Sequence, residues 1–239
     1  MNERQSKLLA AIIDQFIQTA VPVGSKRLLE AGMFTLSSAT IRNEMVSLED
    51  EGYLEQPHIS AGRIPTAKGY RVYVKEFMEP SVQEKAVRRK FDDLRRQYSQ
   101  RKDQERAYEA VTLLSQLMPN VAFATVPHKR RVYFLGLANT LRQPEFQSNP
   151  TLATGVVEAL EGGRLSEVLE GVTLDRRVQY YIGEEHLLPQ IQSCSLLVTG
   201  YQLHGHEGAL GIMGPMRMDY AYNTTVLELV ADLLRAARD

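Results

Sequence analysis

Apolar residues recur at helical spacing along the first 50 positions, interrupted at regular points by breakers. Leu8, Leu9, Ile12, Ile13, Phe16 and Ile17 form one stripe, which predicts a helix opening at Asn2 or Ser6 and running to about Thr19. Val21-Pro22-Val23-Gly24 breaks it. Ser25 is placed to cap a short second helix, Lys26 to Ala31, that Gly32 ends. After Met33-Phe34-Thr35-Leu36, Ser37 or Ser38 caps a third helix in which Ile41, Met45 and Leu48 recur at i, i+4, i+7. Its outward face then carries Ala39, Arg42, Asn43 and Val46. Gly52 ends it. Tyr53–Pro57 and Arg63–Pro65 read as two strands around a tight His58–Gly62 tip, and Thr66–Arg71 enters a helix reaching about Met78.

Helix, short helix, turn, helix and hairpin is the layout of a winged helix-turn-helix over residues 1–79, with the third helix as the reader. Arg and Asn pair bidentately with guanine and adenine edges in the major groove, and small residues such as Ala39 permit close approach. The candidate DNA contacts are Ser25 and Lys26 on the second helix, and Ser37, Ser38, Ala39, Thr40, Arg42 and Asn43 on the third. His58, Ser60 and Arg63 belong to the hairpin, and Lys68 and Arg71 to the helix after it. Residues 1–79 hold nine Lys/Arg against ten Asp/Glu, so net charge supplies no attraction to DNA. The reading requires Lys26, Arg27, Arg42, Arg63, Lys68 and Arg71 to share a face, with Glu49-Asp50-Glu51 turned away.

Beyond Pro80 the pattern changes twice. Residues 80–118 form a helical connector, one helix or two in line. Val87, Phe91, Leu94 and Tyr98 and then Ala107, Val111, Leu114 and Met118 sit at helical spacing around a polar middle that includes Arg101, Lys102 and Glu105. Arg88-Arg89-Lys90 reads as a solvated face, because Asp92 and Asp93 interleave. Residues 119–239 alternate short β-rich runs with helices. Strands are expected at Val121–Val126, Arg131–Leu137, Val178–Ile182, Ser195–Leu203 and Ala209–Met213, with His128-Lys129-Arg130 in the first turn. Helices are expected at Pro150–Leu160, Leu165–Glu170 and about Asn223–Ala237. The class is α+β, with a small antiparallel sheet flanked by helices.

Composition narrows the function without deciding it. The 239 residues are 44% hydrophobic, with a formal net charge of -1. The single cysteine, Cys194, excludes an internal disulfide and fits a reducing, cytoplasmic setting. The N-terminus has no apolar core of a secretory signal, and no apolar run is long enough to span a bilayer. Gly205, Gly208, Gly211 and Gly214 recur every third residue, which is not a dinucleotide-binding fingerprint. His204, His206 and Glu207 read as solvated hairpin residues, not metal ligands. Cys194 reads as core, and Ser37 and Ser38 lack a neighbouring base. No enzyme chemistry, metal or cofactor is expected.

Several ordered motifs closely resemble HrcA, the bacterial heat-inducible transcription repressor. They are Pro22-Val-Gly-Ser25, Leu36-Ser-Ser-Ala-Thr-Ile-Arg-Asn-Glu-Met45, Gly52-Tyr-Leu-Glu-Gln-Pro-His58, Ser60-Ala-Gly-Arg-Ile-Pro-Thr66 and Lys68-Gly-Tyr-Arg71. Gly136-Leu-Ala-Asn139 with Gln143-Pro-Glu-Phe146, Tyr181-Ile-Gly-Glu-Glu185 and Ile212–Tyr220 agree. The resemblance implies a winged helix joined to a GAF-like domain and repression of chaperone operons through an inverted-repeat operator. It also implies a homodimer, with the chaperonin as modulator. The middle departs from the family, because the dimerising insert expected between the first GAF-like strand and Gly136 is missing. The two-fold contact is therefore expected in the GAF-like domain. An alternative is a winged-helix regulator switched by a small ligand held near Tyr180, Tyr181 and Tyr201.

Overall fold

The computed structural model describes the chain except for residues 33, 35, 80–82, 99–102, 127–130, 186–187, 204–205 and 237–239, and except for the side chains of 93–98, 103–104, 131 and 203. The expected turn at His128–Arg130, His204, and the side chains of Leu94, Tyr98, Arg101 and Lys102 lie outside the described residues. The chain divides into two compact units, Met1–Glu79 and Pro80–Asp239. It is a mixed α+β protein whose sheets are antiparallel.

In the first unit, helix α1 (Glu3–Thr19) opens on a capping box. The Asn2 side chain accepts from the Gln5 amide, and the Gln5 side chain accepts from the Asn2 amide. Leu8, Leu9, Ile12 and Ile13 are fully buried, each worth about 2 kcal/mol of transfer from water. Helix α2 spans Ser25–Glu30 and α3 spans Ser38–Asp50. The expected cap of α2 is corrected: Gly24 occupies the N-cap position and Ser25 is already helical. The Ser25 hydroxyl is buried and bonded to the Ser38 hydroxyl at 2.9 Å, which holds α2 against α3. Ser37 caps α3 by accepting from the Thr40 amide. Ile41, Met45 and Leu48 pack inward, and both α1 and α2 rest on α3.

Strands β1 (Leu54–Glu55) and β2 (Ile64–Pro65) pair in register, Leu54 opposite Pro65 and Glu55 opposite Ile64. They are shorter than the sequence suggests. Helix α4 (Ala67–Val72), capped by Thr66, continues as a π-helical turn, Tyr73–Phe77. Tyr73 ties that turn to α1 by donating to Asp14 at 2.6 Å.

The second unit begins with α5 (Glu84–Tyr98) and α6 (Asp103–Leu117). Strands β3 (Val121–Val126) and β4 (Arg131–Leu135) follow, then helices α7 (Leu137–Leu141), α8 (Pro144–Gln147), α9 (Pro150–Glu161) and α10 (Arg164–Glu170). Strands β5 (Gln179–Ile182), β6 (Cys194–Leu203) and β7 (His206–Pro215) and helix α11 (Tyr220–Ala236) complete it. The sheet order is β4-β3-β7-β6-β5. Strand alternation sends Val121, Phe123, Leu196, Val198 and Met213 to one face, where they form a core with Leu152, Val156, Leu160 and Leu165 of α9 and α10. The other face is covered by α6 and α11. There Tyr220 meets Ser195 at 2.8 Å and Tyr180 meets Thr224 at 2.9 Å.

Two expectations change here. The helices of residues 80–118 fall within the second unit. α6 packs on β3 and α11, and α5 packs on α11 and α6 with Val87 and Phe91 buried. Strand β7 starts at His206, so most of the expected glycine-rich link is strand. Its glycines mark close approaches. A Cβ at Gly208 would lie 2.6 Å from the Tyr201 ring, one at Gly211 would meet Phe123, and one at Gly214 would meet Asn120.

Candidate nucleic-acid interface

On α3 the exposed residues are Ala39, Arg42, Asn43 and Val46, with Asp50 at its last position. The first four, at i, i+3, i+4, i+7, make a continuous stripe opposite Ile41, Met45 and Leu48. Among the described residues, the Arg42 and Asn43 side chains have no hydrogen-bond or ion-pair partner. The hydroxyls at the helix start are engaged within the chain. Ser37 bonds the Thr40 amide at 3.1 Å and its hydroxyl at 2.9 Å, and Ser38 bonds Ser25. Of the hydroxyl residues named from sequence, Ser37 is exposed, Ser38 and Thr40 are half-buried and Ser25 is buried. These hydroxyls set the position of the stripe.

Lys26 and its neighbour Arg27 are exposed on α2, and neither side chain has a partner among the described residues. Arg27, required by the sequence reading to share the basic face, is exposed beside Lys26; Val46, on the exposed stripe of α3, was not among the expected contacts. Val46 carries no polar group, yet an apolar side chain on a reading helix can contact a thymine methyl.

The hairpin is fastened to the turn before α2. The Val23 amide donates to the Arg63 carbonyl, and the Arg63 amide donates to the Val23 carbonyl, each at 2.9 Å. Gly62 permits this contact, since a Cβ there would lie 2.5 Å from the Val23 carbonyl carbon and oxygen. The Gln56 amide nitrogen donates to the carbonyls of Ile59 at 3.0 Å and Ala61 at 2.8 Å. The Ala61 amide closes the turn onto the His58 carbonyl at 2.8 Å. The braced tip presents His58, Ile59 and Ser60 to solvent.

The expected segregation of charge is corrected at two residues. Arg63 is paired with Glu49 at 2.8 Å, and its side chain is only 13% exposed. Lys68 donates to the Glu51 carbonyl at 2.7 Å and lies 4.4 Å from the centre of the Tyr53 ring. The acidic end of α3 is therefore not turned away from these two cations. It holds them, because α3 runs directly into β1, which packs on it, and the returning hairpin brings Arg63 to Glu49 and Lys68 to the Glu51 carbonyl. Arg71 is half-buried and interacts within the chain. Arg4 and Lys7 on α1 are paired with Glu44 and Glu3. Among the described residues of the first unit, the cations left for an external anion are Lys26 and Arg27 on α2, Arg42 on α3, and Lys75 on the π-helical turn after α4.

In the second unit, burial pushes the Cys194 thiol up to about 12, with Glu145 adding to the shift. Burial also raises the Tyr201 hydroxyl, which donates to the Thr125 carbonyl. Among the described residues no cluster of three or more His, Cys, Asp or Glu has the geometry to hold a metal ion. His206 and Glu207 are exposed at the start of β7. No described helix is long and apolar enough to cross a membrane.

The profile described as HrcA protein C terminal domain matches residues 21–223. The chain belongs to the HrcA family. The heat-inducible transcription repressor HrcA of Desulforudis audaxviator is 28% identical over 331 aligned positions, covering 95% of each chain. The protein of the same name from Brevibacillus brevis is also 28% identical, over 336 positions, covering 97% of this chain and 96% of that one. Both alignments are far longer than the 239 residues here, so a long stretch of each HrcA relative faces a gap. A crystal structure of a hypothetical protein superposes with a TM-score of 0.79 at 20% identity, covering 99% of this chain and 97% of that one. That likeness shows a shared fold. HrcA is a family of transcriptional repressors, not of enzymes.

Proposed function

We propose that the chain is a heat-inducible transcriptional repressor acting in the cytoplasm, and that residues 1–79 are its winged helix-turn-helix DNA-binding domain. The observation that carries this reading is the exposed Ala39/Arg42/Asn43/Val46 stripe, whose two base-pairing side chains have no partner among the described residues. Arg42 and Asn43 read bases in the major groove, and Lys26 and Arg27 hold phosphates beside it. Ser37, Ser38 and Ser25 position the helix, and Thr40 lies at the entry to the groove. His58 and Ser60 reach the backbone from the hairpin. Arg63, Lys68 and Arg71 serve mainly to set the hairpin and α4.

The names of the relatives support heat as the signal, and the family resemblance supports an inverted-repeat operator upstream of chaperone operons with the chaperonin as modulator. An inverted repeat calls for two readers about 34 Å apart, or a multiple of that distance. The second unit, read as GAF-like, supplies the two-fold contact in a homodimer. The apolar stripe of α5 is less suited to that role, since Val87 and Phe91 are already buried within the chain. The hydroxyls of Tyr180 and Tyr201 are likewise engaged internally, so the small-ligand reading draws less support than the heat reading.

In vitro selection from a random duplex library by the full chain at fixed salt tests the function. Enrichment of one two-fold symmetric sequence, released on warming, is the expected result. Enrichment of nothing, or of an asymmetric site bound by one copy, overturns it.

A further inference from the structure

Ile59 is 99% exposed, whereas the next most exposed large hydrophobic side chain among the described residues, Val21, is 49% exposed. A single exposed apolar residue is ordinary on a protein surface. The surroundings of Ile59 are less so. Its carbonyl is held by Gln56, the turn around it is closed by Ala61 and His58, and the hairpin is fastened through Gly62 and Arg63 to Val23. The tip is thus built to hold an aliphatic side chain out in water. From Gln56 to Arg63 the hairpin carries no carboxylate, so nothing at the tip repels phosphate. Exposed His58 and Ser60 flank Ile59 with donors.

We infer that Ile59 is a minor-groove probe that discriminates A·T from G·C pairs beside the site read by α3, an inference resting on the DNA-binding reading of residues 1–79. The minor groove is about 6 Å wide, enough for one aliphatic branch between its walls. An A·T floor offers only the adenine N3 and thymine O2 acceptors, whereas a G·C pair adds the guanine 2-amino group, which projects into the groove. An isoleucine cannot accept a hydrogen bond from that amino group and collides with it. The side chain therefore selects by shape, without charge; proteins bound in this groove frequently insert apolar side chains, isoleucine among them.

The test uses the full chain and a duplex it selects from a random library. Each A·T pair flanking the α3 site is replaced in turn by G·C or by inosine·C, which lacks the 2-amino group but keeps the major-groove edge of G·C. At the position under the hairpin, G·C should weaken binding about tenfold, about what burying half an isoleucine side chain is worth, while inosine·C should bind like A·T. Ile59→Ala should bind all three alike with an unchanged salt slope, since no charge is removed. Its melting temperature should match the wild type. The inference is overturned if no flanking position separates G·C from inosine·C, or if Ile59→Ala keeps the discrimination. Failure of the DNA-binding reading looks different: the wild-type chain would then show no sequence-specific binding, and Arg42→Ala would change nothing.

Discussion

Gly62→Ala is the substitution that most directly tests how the hairpin is held. A Cβ at this position would sit 2.5 Å from the carbonyl carbon and oxygen of Val23 and 2.8 Å from the Gly24 nitrogen. Ordinary contacts start near 3.5 Å, so the strand must withdraw by about 1 Å. That movement strains both hydrogen bonds between Val23 and Arg63, each 2.9 Å in the native chain. The two together contribute about 2 kcal/mol, lost if the strand withdraws, and overpacking costs about 1–3 kcal/mol if it stays in place. The expected loss is therefore about 1–3 kcal/mol. If the hairpin lifts off locally, the global loss is capped at the free energy of that opening. The assay is amide hydrogen exchange at Val23 and Arg63, read beside the melting temperature of residues 1–79. For a domain of this size 1 kcal/mol moves the midpoint by about 4–8 °C. Loss of protection at both amides, with or without a fall in the midpoint, is expected. Full protection and an unchanged midpoint would mean that the contact with Val23 does not hold the hairpin.

Arg63→Ala should lower stability by about 1–2 kcal/mol, because it removes a partly buried charged hydrogen bond to Glu49, and should leave the salt dependence of DNA binding nearly unchanged. Lys26→Ala should do the reverse, flattening the slope of log K against log salt by about 0.9 with no change in melting; equal slopes for both variants would refute the division of roles. Cys194, buried with its thiol raised to about 12, should react with a disulfide reagent at pH 8 at least about a thousandfold more slowly in the folded than in the unfolded chain. In linkage terms the raised value favours the folded state below pH 9 and is lost as pH climbs toward 12; rapid labelling of the native thiol at pH 8 would contradict its burial. Residues 80–239 should scatter light as a dimer and residues 1–79 as a monomer. A monomeric 80–239 fragment would move the two-fold contact elsewhere.

The parts of the fold visible in the sequence were those decided within a few turns of chain. The α1 stripe, the Ser37 cap and the apolar positions of α3 and α11 follow from local spacing, and burial of Cys194 follows from its apolar neighbours in β6. Helices α7 and α8 were missed because five and four residues cannot display a helical period. The inclusion of α5 and α6 in the second unit depends on α11, more than 100 residues later, so no local pattern announces it. At the candidate interface, the exposure of Arg42 and Asn43 was legible because one helix sets it. The Arg63–Glu49 pair joins residues 14 apart across a turn, and the Ser25–Ser38 bond joins two helices. Such pairings appear only once the elements pack, and together with the Lys68–Glu51 bond they engage two cations and two hydroxyls of the expected contact surface within the chain.

Base reading by α3 rests on Arg42. The decisive measurement is the affinity of the wild-type chain and Arg42→Ala for a selected operator and for a scrambled duplex of the same composition, at one salt concentration. The exposed, unpartnered side chain makes a folding defect the wrong explanation for any change, which equal melting curves confirm. The expected outcome is a loss of about 1–3 kcal/mol on the operator, relaxed discrimination at one base pair per half-site and little change on the scrambled duplex. An equal loss on both duplexes would make Arg42 a phosphate contact and remove base reading from it.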